Sequence, residues 1–416
     1  MPVFTLIFAF ALLLTTATRL WLAQRHLRHI QLNRQAVPQD FADSISLESH
    51  HKAADYSSSK TRLGMLHSLL DVALLLAFTL GGGIQALTDY WQNVLGDGLW
   101  RGVALIVSVL VISSLLEIPL SLYRTFVIDA RFGFNKMTPG LFLADLFKQT
   151  LLLSALGIPL LLGVLWLMAQ MGEHWWLYVW LAWMGFNLLI LTLYPTVIAP
   201  LFNKFSPLED QRLATRIEAL LQKCGFKSQG LFVMDGSKRS SHGNAYFSGL
   251  GASKRIVFFD TLLARLNHDE IEAVLAHELG HFKRRHVIKR ILSMFILSLA
   301  GLWLLGWLMP QGWFYQGLGV TTRSTDTALL LFMLVSPFFT FLFNPIASLY
   351  SRKHEFEADR YAAENSSGEA LIQALVKLYN DNAATLTPDP LHSVFYDSHP
   401  AATQRIAYLR SLAGKS

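Results

Sequence analysis

The stretch AVLAHELGHFKRRHVIKRILSMFILSLAGLWLLGWLM, residues 273–309, carries two signals end to end. In its first half His277 and His281 stand four residues apart with Glu278 beside the first, a spacing that suits a metal ion. From residue 288 to about 310 the chain is apolar for roughly the 20 residues needed to cross a bilayer core. Whether a membrane governs the fold depends on how often such runs recur.

Further apolar segments lie at about 3–23, 67–90, 101–123, 150–170, 175–200 and 327–350, so that seven spans are expected. Pro195 and Pro200 mark the end of the fifth. Hydrophobic residues make up 52% of the 416 and charged residues 15%, whereas soluble domains carry nearer a quarter charged. A soluble enzyme on a single anchor is thereby excluded. The first run has no basic region before it and no small-residue cleavage site after it, and reads as a membrane helix rather than a signal peptide. Cys224 stands alone, which rules out an internal disulfide and a CxxC zinc site; it reads as a small packed residue. The formal charge of +6 belongs to basic loops and not to a nucleic-acid surface.

The loops divide by charge. Arg25, Arg28, Arg34, Lys52, Lys60 and Arg62 follow the first span, and Arg124, Arg131, Lys136 and Lys148 follow the third. TDYWQNVLGDGLW (88–100) and MGEHWW (171–176) carry almost no positive charge. The positive-inside rule places the first pair of loops in the cytoplasm, the N-terminus outside and the C-terminus inside. Four regions follow: 1–200 with five spans, a cytoplasmic α+β segment at 201–287, two further spans at 288–350, and a helical cytoplasmic segment at 351–416. Within the second, LATRIEALLQKCGF (213–226) reads as an amphipathic helix ended near Gly225, while GLFVMD, NAYFSGLG and KRIVFFD read as strands. Asn267 and Glu270 form the capping box of the helix that carries the histidine motif. The fold class is mainly α, a polytopic membrane protein with about seven transmembrane helices and a small α+β domain on its cytoplasmic side.

Each helical residue advances 100°, so His277 and His281 lie about 40° apart and one turn displaced, able to grip one ion. Zinc lowers the pKa of a water it holds to about 7, and Glu278 is near enough to take the proton as that water attacks a carbonyl. A catalytic zinc commonly takes three protein ligands. A third in the metzincin pattern fails, because Arg284 and Val287 occupy the required positions and His286 falls about 180° from His277 on a continuous helix. SRKHEFEADRYAAE (351–364) supplies a better candidate. Glu355 can ligate while Asp359, four residues on and on the same face, orients a ligand histidine through its second ring nitrogen; Glu357 and Glu364 are expected to be solvated. Both motifs fall at cytoplasmic ends of spans.

SLYRTFVIDARFGFNKMTPGLF (121–142), APLFNKFSPL (199–208), GNAYFSGLG (243–251), RIVFFDTLL (255–263), EAVLAHELGH (272–281), SRKHEFEAD (351–359) and DSHPAATQRI (397–406) follow one another in the order of the Ste24 family of CAAX prenyl proteases, M48 membrane zinc metallopeptidases, which the chain resembles over most of its length. The resemblance implies zinc on His277, His281 and Glu355, Glu278 as general base, and His399 of the SHP motif steadying the oxyanion. Where the family often has SHPP this chain has SHPA, Ser398 to Ala401. The resemblance further implies that Asn244, Ala245 and Tyr246 lie on an edge strand where an extended substrate pairs. It also implies seven helices enclosing a water-filled chamber, to which Asp71 and Glu117 would face.

The implied activity is endoproteolysis in or beside the membrane. Its substrate would be a prenylated CAAX-type protein or, in a bacterial inner membrane, a misfolded membrane protein; the lipid bilayer is the other partner and nucleic acid is none. A transporter with a metal site would need essential charges at mid-membrane depth, and an idle scaffold would not need the base Glu278.

Overall fold

The computed structural model describes residues 2–248 and 255–414. Among them, seven helical segments are long and apolar enough to cross a membrane. In chain order the main helices are α1 (Val3–Leu32), α2 (Leu47–Phe78), α3 (Gly83–Leu95), α4 (Leu99–Asp129), α5 (Pro139–Gln170), α6 (Gly172–Phe202), α7 (Gln211–Lys223), α8 (His268–Lys283), α9 (His286–Leu308), α10 (Thr325–Thr340), α11 (Asn344–Asn365), α12 (Gly368–Asp381) and α13 (Ala402–Ala413). The spans are α1, α2, α4, α5, α6, α9 and α10 continued into α11.

The second span differs from the window expected at 67–90. Gly81, Gly82 and Gly83 interrupt that window, with Gly82 at φ 78°, a conformation glycine adopts without steric cost. The helix therefore stops at Phe78 and α3 starts afresh. The last span also breaks: a single 3₁₀ turn at Phe341–Phe343 separates α10 from α11, whose first turn contains Pro345.

Only 11–33% of each span's apolar window is buried within the protein. The accessible surface of 21358 Å² also exceeds the ~16,000 Å² of a compact soluble monomer of this mass. The surplus belongs to long helices that stand apart and meet lipid or open space along much of their length. Where α4 meets α10, Arg101 donates to Asp326 at 2.9 Å, both buried, and a Cβ on neighbouring Gly102 would stand 2.7 Å from the Asp326 side chain.

The α+β unit contains a four-stranded sheet in the order β1 (Phe205–Pro207), β2 (Leu231–Met234), β4 (Arg255–Phe259), β3 (Ala245–Ser248). β2 and β4 run parallel, while β1 on β2 and β3 on β4 are antiparallel. β3 is thus an edge strand; Gly249–Gly251 of its motif and Lys254, expected at the start of β4, lie outside the described residues.

Sheet and helices share one core, in which Ile217, Phe258, Leu279, Leu371 and Ile406 are all but inaccessible and Cys224 is buried. Phe41 and Ile45, from the basic loop after α1, belong to that core. The basic segment after α4 joins the same unit, with Lys136 N–H donating to the Arg239 carbonyl and Phe134 packed near Ala383. Both basic loops and the α+β unit therefore lie at one end of the helical bundle.

Candidate metal and catalytic site

Helix α8 begins on a closed capping box: Glu270 N–H donates to Asn267 Oδ1 at 2.9 Å and Asn267 N–H to Glu270 Oε2 at 2.8 Å. Lys377 of α12 donates to the same buried carboxylate at 2.8 Å, which pins the helix start. Further along, Gly280 permits a close crossing with α11. A Cβ there would meet Ala358 Cα at 2.9 Å and Tyr361 Cβ at 3.0 Å, so no larger residue fits without moving backbone. Gly280→Val is expected to push α11 off α8, cost about 1–3 kcal/mol by overpacking, and abolish metal retention; metal analysis of the purified variant checks this.

That crossing delivers Glu355 to the two histidines. His277 Nε2 and His281 Nε2 are 3.2 Å apart; Glu355 turns Oε2 toward the first, at 3.5 Å, and Oε1 toward the second, at 3.4 Å. Ligands held 2.0–2.1 Å from an ion at tetrahedral angles stand ~3.3 Å from one another, close to the separation of the two Nε2 atoms and of each from the nearer Glu355 oxygen, so the three groups can converge on one zinc-sized ion. Glu355 Oε2 is buried and takes no hydrogen bond, an expensive state for a carboxylate oxygen unless a cation completes it. The residues present therefore fit a metal ion.

Behind the cluster, His277 Nδ1 lies 2.9 Å from Asp359 Oδ1. Arg405 of α13 donates to both Asp359 oxygens, at 2.9 Å from Nε and 2.5 Å from Nη2, and its Nη1 stands 3.8 Å from Glu355. The sequence reading gave Arg405 no role. A signal was present, because Ala402, Arg405, Ile406 and Leu409 share the buried face of α13, a charge at a core position. Burial and Arg405 act to lower the His277 pKa, but the neighbouring carboxylates of Asp359 and Glu355 outweigh them and hold it at about 9. Burial and the His277 charge depress His281 to about 3.

Glu278 lines an open cleft with Gly243, Asn244, Ala245, Tyr379 and His399. Burial pushes its carboxyl above the usual carboxylate range, against the pull of His277. Exposed His399 stands at the rim, with Nε2 3.3 Å from Glu355 Oε1 and Nδ1 2.9 Å from Ser398 Oγ.

The edge strand contributes unequally. Asn244 Oδ1 accepts from Ala245 N–H at 2.8 Å, and Asn382 fixes the approach by accepting from Gly243 N–H at 3.3 Å. Tyr246 is not brought to the cleft: its ring packs edge-on against Phe259 and its hydroxyl faces Met234, because alternate strand residues point to opposite faces. Asp71 and Glu117 are paired rather than isolated, with His67 between them at 3.5 and 3.7 Å.

Two expectations are corrected. Glu357 is bonded rather than solvated, with Oε2 3.0 Å from His286 Nε2. His286 is not on the far side of the motif helix, because α8 ends at Lys283, Arg285 turns left-handed at φ 57°, and His286 opens α9. Glu364 is exposed.

A family model described as "CAAX prenyl protease N-terminal, five membrane helices" matches residues 26–204, and one for peptidase family M48 matches residues 207–413. A Caenorhabditis elegans protein named CAAX prenyl protease 1 homolog is 33% identical, with 98% of each chain covered. CAAX prenyl protease 1 of Saccharomyces cerevisiae is also 33% identical, with 92% of this chain and 91% of that one covered. The crystal structure of S. mikatae Ste24p superposes with a TM-score of 0.92 at 30% identity, covering 98% of this chain and 99% of that one.

Proposed function

From the premise that the chain belongs to the Ste24-type CAAX prenyl protease family of M48 metallopeptidases, we propose that it hydrolyses CAAX-type prenylated substrates with zinc held by His277, His281 and Glu355. The observation that carries this reading is the convergence of two imidazoles and one carboxylate within 3.5 Å of one another, bordered by the Glu278 carboxylate in the same cleft. Two imidazoles and a carboxylate are a donor set suited to zinc.

When bound, zinc supplies Lewis acidity toward the scissile carbonyl and toward water. An extended substrate pairs with the free backbone edge of β3, which leads along the cleft wall past Gly243–Ala245 to Glu278. Glu278 takes a proton from the attacking water and returns it to the leaving nitrogen. His399 donates from Nε2 to the carbonyl oxygen as it gains negative charge. Asp359, held by Arg405, keeps a hydrogen on His277 Nδ1, leaving Nε2 as the ligand atom. The site faces the cytoplasm of a bacterial inner membrane in this reading, with N-terminus outside. The packing of both basic loops against the α+β unit supports that orientation.

Chelation should stop cleavage of a farnesylated CAAX-type peptide by the purified protein, and one equivalent of zinc should restore it. Failure to cleave that peptide while an unfolded membrane protein is cut would replace the substrate class. Absence of metal from unchelated protein would overturn the zinc assignment.

A further inference from the structure

His281 lacks what His277 has, a carboxylate behind its ring. At its back, His281 Nδ1 lies 3.0 Å from the Nδ1 of His286, and His286 Nε2 lies 3.0 Å from Glu357 Oε2. We propose that His286 is a positioning residue which, with Glu357, sets the tautomer and ring orientation of His281; the proposal rests on His281 being a metal ligand.

The assignment follows from which atoms can donate. A carboxylate oxygen only accepts, so Glu357 requires the hydrogen of His286 on Nε2. Nδ1 of the neutral His286 ring is then an acceptor, and the 3.0 Å contact can be filled only by a hydrogen on His281 Nδ1. A hydrogen there leaves His281 Nε2 bare, the atom turned toward His277 and Glu355. The three residues thus constrain one another in series from Glu357 to the site.

The local fold is shaped around this contact. His286 is 4% exposed, and its ring stacks on His354 at 3.9 Å with 11° between the planes. Tyr350 meets His354 edge-on from the next turn of α11. Arg285, one of two non-glycine residues at positive φ among those described, makes the reversal that returns His286 to a histidine five positions earlier. A continuous helix would carry His286 away from His281.

The test uses full-length protein stripped of metal, with zinc affinity measured by competition with a chromophoric chelator. His286→Phe keeps the ring and the stacking surface but removes the acceptor, and zinc affinity should fall roughly 10–100-fold. His286→Asn restores an acceptor close to the place of Nδ1, and its affinity should lie within about threefold of wild type. Thermal melts of the metal-free proteins verify that both variants are folded. Equal affinity in wild type and a folded His286→Phe overturns the proposal, and so does an equal loss in both variants, which would mean that the ring is needed only for packing. Wild type that takes up no zinc overturns the ligand reading beneath it, and is distinguished by failing before any variant is compared.

Discussion

Glu278→Gln should slow hydrolysis of a farnesylated CAAX-type peptide by roughly 10²–10⁴-fold, the usual range for losing a general base, while bound metal stays at the wild-type level. The two readouts separate because Glu278 is adjacent in sequence to one proposed ligand yet is not itself among the three donors. Its carboxylate lines the cleft, is not one of the three grouped donors, and among the described residues takes no hydrogen bond from the protein. Glutamine has the same shape, so neither the α8–α11 crossing nor the three donors should move. What it cannot do is accept a proton. Burial raises the Glu278 carboxyl and so makes its ionised form a stronger base than a solvated carboxylate. A variant that keeps more than a tenth of wild-type turnover would move the base to another group, of which His399 on the cleft rim is the nearest candidate. Loss of metal together with activity would make Glu278 a structural residue.

The membrane architecture is legible because apolar run length is a direct consequence of bilayer thickness, and the two halves of the candidate site are legible because one helical turn converts i and i+4 into neighbours. Run length and helical rotation both presuppose an unbroken element, and the chain departs from them where the element breaks. The window at 67–90 ran through three glycines, since hydropathy is blind to φ; the structure ends α2 at Phe78. Continuing the 100° rotation through Arg285 sets His286 on the far side of α8, but there the backbone turns left-handed. Once that turn is made, Glu357 loses its solvated position as well, because His286 comes to meet it. Tyr246 shows the opposite limit: its place on an edge strand was readable, whereas the face its side chain takes depends on register with β4, where it opposes Val257. Arg405 required tertiary information of a subtler kind. Its helical face is apolar, but only the fold reveals that this face closes over Asp359.

Arg405→Met tests how much of the site's integrity depends on that closure. Arg405 is 6% exposed and Asp359 fully buried, so removing the guanidinium leaves a carboxylate in the interior with, among the described residues, only the His277 ring as its partner. Breaking a buried pair from one side costs about 3–5 kcal/mol, most of it the penalty of the stranded charge. The melting temperature of the detergent-solubilised protein should fall by on the order of 10 °C, and metal retention should weaken because Asp359 no longer holds His277 in one orientation. Arg405→Lys keeps the charge but loses the two-pronged contact, and should fall between wild type and the Met variant. The decisive comparison adds Asp359→Asn to Arg405→Met. Asparagine carries no charge to strand, so if electrostatics governs the loss, the double variant should recover a measurable part of the stability while still binding metal poorly. An additive or larger loss in the double variant would show instead that Arg405 acts by filling space between α11 and α13.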